Sequence, residues 1–313
     1  MTAKVYSLEI IERQRELASL LERSEQTEAK RKAPNTREAY ARWAVRFDEF
    51  CQLYRVKPGS DALRAYLSLL DKDGYTVSSI KQAYAGIVDA YPTSRSNSAR
   101  NLLQGIRQDH KDQGRSAKGK HAFTLELCEQ TLACIIDNNL RAMRDRALLS
   151  VQWVTASRPS ELLGLCVDHI LTEGDTISLE VFEKDHDTSR VKSGLVRKDS
   201  KLYAFEHLTA YLNQAGLKSG PVWRKISTGD NPTSRALTES GYATIFRRLL
   251  AQARMDRKYT PHCVRTGYIT SQAMAGASLA EIIAVTGHQN IESVKHYFDR
   301  AIMLRDNPMD RLQ

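Results

Sequence analysis

Between His262 and Asp299 the chain gathers four groups able to act on a phosphate ester: His262, Arg265, His288 and Tyr297. Arg is a permanent cation whose planar fork fits two phosphate oxygens, and His both donates a hydrogen bond and moves a proton near neutral pH. Tyr supplies a nucleophilic oxygen. His262 and Arg265 are three residues apart, one turn apart on a helix face. Taken singly these are ordinary: His-x-x-Arg is most often a surface or capping pair, and Tyr at helical spacing is most often core.

The intervening residues explain how the four groups can converge. A helix beginning near His262 should stop near Gly276, a residue suited to a left-handed cap. Ser278 with Glu281 forms a capping box that opens a short apolar helix through Leu279, Ile282, Ile283 and Val285. Thr286-Gly287 ends it and presents His288 at a helix-to-loop junction. Asn290 then caps a helix through Ile291, Val294, Tyr297 and Phe298. Two reversals within about 35 residues bring both ends of the segment back to one place.

The joint spacing is much rarer than its parts. His-x-x-Arg, Gly-His 23 residues after the Arg, and Tyr nine residues after that His resemble the carboxy-terminal signature of the tyrosine recombinases, the phage integrase family. That family carries a further Arg about 100 residues upstream, in a phrase like Thr-Gly-x-Arg-x-x-Glu-Leu, and Thr155-Ala156-Ser157-Arg158-Pro159-Ser160-Glu161-Leu162 lies there. Ala156 stands where the family often has Gly. Ser234-Arg235-Ala236-Leu237, Met274-Ala275-Gly276-Ala277-Ser278 and a tail with Met309 and Leu312 look most like the Cre branch. Cre has Trp at the position of His288, where His is the commoner family choice.

Composition bounds the remainder. The chain has 313 residues, 42% hydrophobic and 27% charged, enough for two domains with real cores. No apolar run approaches a membrane span and the amino terminus lacks the order of a signal peptide, so a cytoplasmic protein is expected. The net charge of +9 and pI near 9.3 suit a polyanion partner, although many other proteins are as basic. Cys51, Cys128, Cys134, Cys166 and Cys263 are scattered in apolar contexts without metal-ligand spacing, so buried reduced thiols are expected, with no disulfide and no metal. No cofactor is expected.

In order along the chain, residues 1–33 read as an amphipathic helix, Lys4 to Arg23, and a charged tether. Residues 34–110 read as a compact helical domain with helices from Asn35, over Leu63 to Leu70, Val77 to Tyr91 and Ser98 to Gln108. Residues 111–120 form a basic, glycine-containing linker with Lys118 and Lys120. Residues 121–313 read as a mixed domain: helices Leu125 to Asn138, Arg141 to Thr155, Glu206 to Gln214 and Glu239 to Arg254, a strand from Asp175 to Glu183, a further strand at Lys198 to Phe205, and a brief extended piece at Pro221 to Trp223. The fold class expected is mainly α, with an all-helical amino-terminal domain and an α+β second domain bearing a small antiparallel sheet.

The resemblance implies roles. Tyr297 attacks a DNA phosphate to give a 3'-phosphotyrosine, Arg158 and Arg265 bind its non-bridging oxygens, and His262 and His288 hydrogen-bond it, His262 being the better placed proton acceptor. Glu161, one turn after Arg158, orients catalytic groups from behind. The family also uses a hairpin lysine to protonate the leaving oxygen; Lys192 in Lys192-Ser193-Gly194 is the choice, Lys184 fits the distance from Arg158, and Lys198 and Lys201 fit less well. Asp185-His186-Asp187 reads as a polar turn rather than a metal site. Ser78, Lys81 and Gln82 on the Val77 to Tyr91 helix are candidates for base contacts in a major groove, and Lys118 and Lys120 for backbone contacts. The partner implied is a double-stranded recombination site, bound by a homotetramer through exchange of the carboxy-terminal tail, in a protein of bacterial, phage or plasmid origin at the nucleoid. Two other classes share the features: a DNA-binding architectural relative that does not cut, and a type IB topoisomerase.

Overall fold

The computed structural model describes residues 13, 16–20, 22–23, 34–114, 121–182, 191–198 and 200–305. Two compact units partition the chain, Met1–Lys118 and Gly119–Gln313.

In the first unit four helices, α1 (Pro34–Leu53), α2 (Ser60–Lys72), α3 (Val77–Ala90) and α4 (Asn97–Asp112), enclose one core. Trp43, Phe47 and Phe50 recur at helical spacing on α1 and meet Leu63, Tyr66, Leu67 and Leu70 of α2. Thr76 caps α3 by accepting from the Ser79 amide at 3.2 Å, and Ser96 caps α4 by accepting from the Ala99 amide at 3.1 Å. Gly86 lets α3 cross α1 closely, since a Cβ there would lie 2.9 Å from the Tyr40 Cα. His110 Nε2 lies 2.7 Å from Asp71 Oδ1 and ties the end of α4 to α2. α2 and α4 outrun the stretches expected for them, Ser60–Lys72 against Leu63 to Leu70 and Asn97–Asp112 against Ser98 to Gln108; at its far end α4 is held by the buried His110. Most of the expected Lys4 to Arg23 helix and the tether lie outside the described residues, as do Lys118 and Lys120.

The second unit is built around α6 (Leu140–Thr155), buried on nearly every side. Around it lie α5 (Leu125–Ala133), the short α7 (Pro159–Leu163), a three-stranded antiparallel sheet β1 (Ile170–Glu173), β2 (Thr176–Phe182) and β3 (Val191–Arg197), and α8 (Ala204–Ala215). A hairpin of β4 (Arg224–Ile226) and β5 (Pro232–Ala236) precedes α9 (Glu239–Gln252), α10 (Pro261–Met274), α11 (Leu279–Thr286) and α12 (Glu292–Arg305). Phe123, Leu148, Leu149, Leu179, Val196, Tyr211, Trp223, Tyr242 and Phe246 belong to its main core. A smaller cluster of Ile269, Ala273, Ile282, Val294 and Ala301 joins α10, α11 and α12.

Several expectations need correction. α5 ends at Ala133 rather than Asn138, because the carbonyls of Ile135 and Asp137 each accept from Arg146 Nη1 at 2.8 Å and leave the helical ladder. The third strand is Val191–Arg197 and not Lys198 to Phe205: β2 is fully paired once Thr176 meets Arg197, and the Lys198 amide turns back to the Asp175 carbonyl at 3.0 Å. Tyr203, at φ 49°, then redirects the chain into α8. The extended piece at Pro221 to Trp223 contributes a single bridge from Pro221 to Cys166, and the real hairpin follows it. All five cysteines are unpaired, but only Cys51, Cys128 and Cys263 are buried; Cys134 and Cys166 are half-buried.

One contact fixes α10. A Cβ on Gly267 would lie 1.7 Å from the Phe123 carbonyl oxygen, and the Phe123 amide donates to the Cys263 carbonyl at 2.9 Å. Helix propensity alone favours Ala over Gly by about 1 kcal/mol. The overlap reverses the sign, so Gly267→Ala should destabilise the protein by about 3 kcal/mol or more in urea unfolding. A variant as stable as the wild type would mean that α10 is not seated on Phe123.

Candidate active site

Arg158 follows directly on the end of α6. Ala156, the left-handed C-cap of that helix at φ 48°, turns the chain sharply, and Pro159 starts α7 with its φ already helical. An L residue in this conformation costs about 1 to 2 kcal/mol, the reason Gly is favoured there. Arg158 is the N-cap of α7; its amide donates to Glu161 Oε2 at 2.8 Å and its guanidinium pairs with Oε1. Glu161 is 4% exposed, while Arg158 keeps 40% of its side chain open.

Arg265 comes from α10 and is itself buried. Its Nη1 donates to the Ala156 carbonyl at 2.8 Å and stands 3.9 Å from Glu161 Oε2. Its Nη2 lies 3.1 and 3.2 Å from the two ring nitrogens of His288. Burial would raise the Glu161 carboxyl, but the hydrogen bonds from the Arg158 backbone and side chain, with the charges of Arg158 and Arg265, outweigh it and hold the group below its usual range. One carboxylate thus spaces two guanidinium groups.

The segment after α10 folds as its turn residues dictate. Ser278 and Glu281 form the capping box, the Glu281 amide donating to Ser278 Oγ at 3.3 Å and Glu281 Oε2 accepting from the Ser278 amide at 2.7 Å. Gly287, at φ 68°, caps α11, and His288 follows with Nδ1 2.7 Å from Thr286 Oγ1. Asn290 Oδ1 accepts from the Glu292 amide at 3.0 Å at the start of α12.

Arg158, Glu161, Arg265 and His288 therefore meet directly. His262 lies one turn before Arg265 on α10 and is exposed. Tyr297 is half-buried on α12, its ring packed on the cluster shared by α10, α11 and α12; its hydroxyl makes no hydrogen bond among the described residues. Arg305 Nη1 donates to the Ala273 carbonyl at 3.0 Å and pins the far end of α12 to α10.

Lys192 lies in β3 opposite Val181. Two residues on, Gly194 meets the end of α6, where a Cβ would come within 2.9 Å of Thr155 Cγ2, so β3 is set against the turn that delivers Arg158. Lys184 and Asp185-His186-Asp187 lie outside the described residues. Lys198 is instead paired with Asp175 at 3.1 Å on the surface.

In the first unit Ser78, Lys81 and Gln82 are all exposed on α3. Gln82 is partly committed, since its Oε1 accepts from Trp43 Nε1 at 3.2 Å. Beside it Arg46 lies 5.1 Å from the Trp43 ring centre and donates to the Tyr75 hydroxyl at 2.9 Å, which raises its pKa further.

Sequence reasoning missed a cationic cavity of about 580 Å³ in the second unit, lined by Arg141, Arg144, Lys225, Arg235 and Arg248 with the hydroxyl-bearing start of α9. Asp145, wholly buried, pairs with Arg144 at 2.7 Å and with Arg248. These residues are spread over about 100 positions, and only the fold assembles them. Among the described residues there is no cluster of three or more metal-ligating side chains, and no helix is long and apolar enough to cross a membrane.

Comparison with known proteins places this architecture. Residues 126–302 match the phage integrase family, and the chain belongs to that family of tyrosine recombinases. It is 23% identical over 298 residues to an integrase/recombinase XerD homolog of Selenomonas ruminantium, covering 90% of this chain and 86% of that one. It is 29% identical over 159 residues to the tyrosine recombinase XerC of Pelotomaculum thermopropionicum, a match spanning about half of each protein (50% and 49%). In fold it resembles the XerH site-specific recombinase in a post-cleavage complex with its palindromic difH substrate, with a TM-score of 0.62 at 14% identity over 87% of this chain and 78% of that one. A lambda integrase dimer on a COC' core site gives a TM-score of 0.55 at 15% identity over 90% and 94%.

The depressed Glu161 carboxyl sets a pH dependence. A carboxyl lowered on folding contributes stability that is fully present above the unfolded value, near 4.5, and is lost as pH falls through the folded value. Glu161→Gln should therefore be less stable than the wild type at neutral pH, by about 2 kcal/mol for lost bonds to charged donors. The gap should close below pH 4.5. A gap that stays constant into the acid would show that the carboxylate charge is not what holds the arginines.

Proposed function

We propose that this chain is a site-specific DNA recombinase that cuts and rejoins DNA through a 3'-phosphotyrosine. The observation that carries this is the convergence of Arg158 and Arg265 on one buried carboxylate, with His288 against Arg265, in a chain of the tyrosine recombinase family. Arg158 has its fork partly open to solvent and Arg265 is fixed by the Ala156 carbonyl, so both cations are preorganised before a phosphate arrives. The negative charge that grows on the phosphate in the transition state is met by donors already aimed, which needs no metal.

Each residue has a task. Tyr297 Oη attacks phosphorus, the P–O5' bond breaks, and DNA is held as a 3'-phosphotyrosine with a free 5'-hydroxyl. His262, exposed one turn from Arg265, accepts the Tyr297 proton, and His288 hydrogen-bonds a non-bridging oxygen. Lys192, in the strand set against the Arg158 turn, protonates the departing 5'-oxygen. Attack by a 5'-hydroxyl of a second duplex on the phosphotyrosine then reverses the step and gives a Holliday junction.

Binding is assigned to both units. Ser78, Lys81 and Gln82 on α3 face a major groove, Arg46 is steered by its aromatic neighbours, and Lys118 and Lys120 follow the backbone. The cationic cavity beside α9 gives the second unit a further phosphate-binding face. With α4 running to Asp112 rather than ending at 110, the domain limits proposed are 34–112 and 121–313 with the linker between them, and a cytoplasmic, nucleoid-associated location suits the substrate. XerH is described in complex with difH and lambda integrase with a core site; a duplex recombination site is the corresponding partner here.

Assembly completes the scheme. Met303 is 71% exposed at the end of α12, and Met309 and Leu312 follow beyond the described residues. Leaving such side chains in water forgoes about 1.5 to 3 kcal/mol each. Docked head to tail on the next protomer they close a ring of four on two DNA sites.

Four outcomes are expected. Tyr297→Phe should bind DNA and form no covalent adduct on a denaturing gel, Arg158→Ala or Arg265→Ala should slow cleavage by roughly 10²- to 10³-fold, and cleavage by the wild type should persist in EDTA; an adduct from Tyr297→Phe would sink the assignment. Deleting residues 303–313 should leave single-site binding nearly intact in a gel-shift assay and remove paired-site complexes and recombination. A truncated protein that still synapses normally would refute tail exchange.

A further inference from the structure

Behind the Arg158 turn, Gln152 is fully buried on α6. Its Nε2 donates to the Ser157 carbonyl at 3.2 Å and to the Pro261 carbonyl at 3.0 Å, and its Oε1 accepts from the Tyr242 hydroxyl. Ser157 and Pro261 immediately precede Arg158 and His262. A primary amide has two N–H donors, and both are spent on these carbonyls. Tyr242, fully buried on α9, supplies a hydrogen that only the oxygen end of the amide can accept, so it also decides which way the amide faces. Burial raises its phenol well above the usual range, and it remains a donor at neutral pH.

The neighbouring carbonyl, Ala156, is taken by Arg265. Two successive carbonyls of the turn are thus held from different elements. Arg265 ties the turn to the middle of the first turns of α10, whereas Gln152 ties it to the first residue of that helix. A leucine or methionine would fill the same space, leave the Ser157 carbonyl without this donor, and leave the Pro261 carbonyl to the helical ladder of α10 alone. The Arg158 turn would then be held to α10 only through the Ala156 carbonyl and Arg265, and not at the residue before His262.

We infer that Gln152, oriented by Tyr242, is a positioning residue that sets Arg158 against His262 across the scissile phosphate. The inference rests on the recombinase assignment and concerns geometry rather than contact with DNA. Displacements near 1 Å at a reacting centre cost on the order of 10²-fold in rate, so the loss should fall on the chemical step and spare binding.

The test uses the full chain and the nicked duplex on which the wild-type protein forms its adduct. Under saturating, single-turnover conditions Gln152→Met should form adduct roughly 10- to 100-fold more slowly, with an unchanged Kd for the duplex. Tyr242→Phe should lose about threefold to tenfold, the scale of one hydrogen bond, and the double variant should be no slower than Gln152→Met, because the phenol acts only through the amide. In the DNA-free proteins, amides of residues 155–160 and 259–264 should exchange hydrogen faster in Gln152→Met than in the wild type. A folded Gln152→Met that cleaves at the wild-type rate, or that loses rate and affinity in parallel, overturns the inference. If Gln152→Met does not fold, Tyr242→Phe decides, and a wild-type rate from it overturns the inference. Absence of any adduct from the wild type would instead remove the recombinase assignment; the exchange comparison would still judge the clamp, and unchanged exchange would overturn it.

Discussion

A buried guanidinium is tolerable only where its charge and donors are answered, and the second unit is arranged around answering Arg265. The Ala156 carbonyl and the Glu161 carboxylate do so from one side and the His288 ring from the other. Each partner is delivered by a separate chain reversal: the left-handed residue that ends α6, the first turn of α7 and the glycine cap of α11. Separately, a buried charge stripped of partners costs several kcal/mol, so these reversals are coupled through one ion.

The strained Ala156 belongs to this logic. Its carbonyl can reach Arg265 because the residue leaves the helical path at once, and Ser157 and Thr155 close the turn with an Oγ to Oγ contact of 2.8 Å. A cost of about 1 to 2 kcal/mol in the backbone persists because the surrounding bonds over-determine it, as is usual where conformation serves chemistry. Gly194 makes the same economy of space on the other side of the turn, allowing a strand to lie where a side chain would collide.

Much of this was legible in the sequence because its signals are local. The Ser278 and Glu281 box, the cap at Gly287 and the Asn290 start each depend on residues within a few positions, and they fold as their chemistry predicts. The spacing of Arg158, His262, Arg265, His288 and Tyr297 was visible for the same reason. What escaped depends on distant partners. α5 stops early because Arg146 claims its next carbonyls, and β3 was misplaced because pairing with β2, not alternation, sets its limits. The β4–β5 hairpin has two short polar strands with no apolar period to betray them. Gln152 looked like any polar residue on a helix, and the arginines of the cationic cavity come from three separate elements.

The seat of Gly267 on Phe123 has a practical side. The match to the family model begins at residue 126, three positions past the backbone on which α10 rests. An excision drawn at that line would remove the floor beneath the helix that bears His262 and Arg265 and take away the Phe123 amide that donates to the Cys263 carbonyl. The edge of that match is therefore a poor guide for the scissors: the second unit, taken as a free-standing piece, has to include the few residues before residue 126.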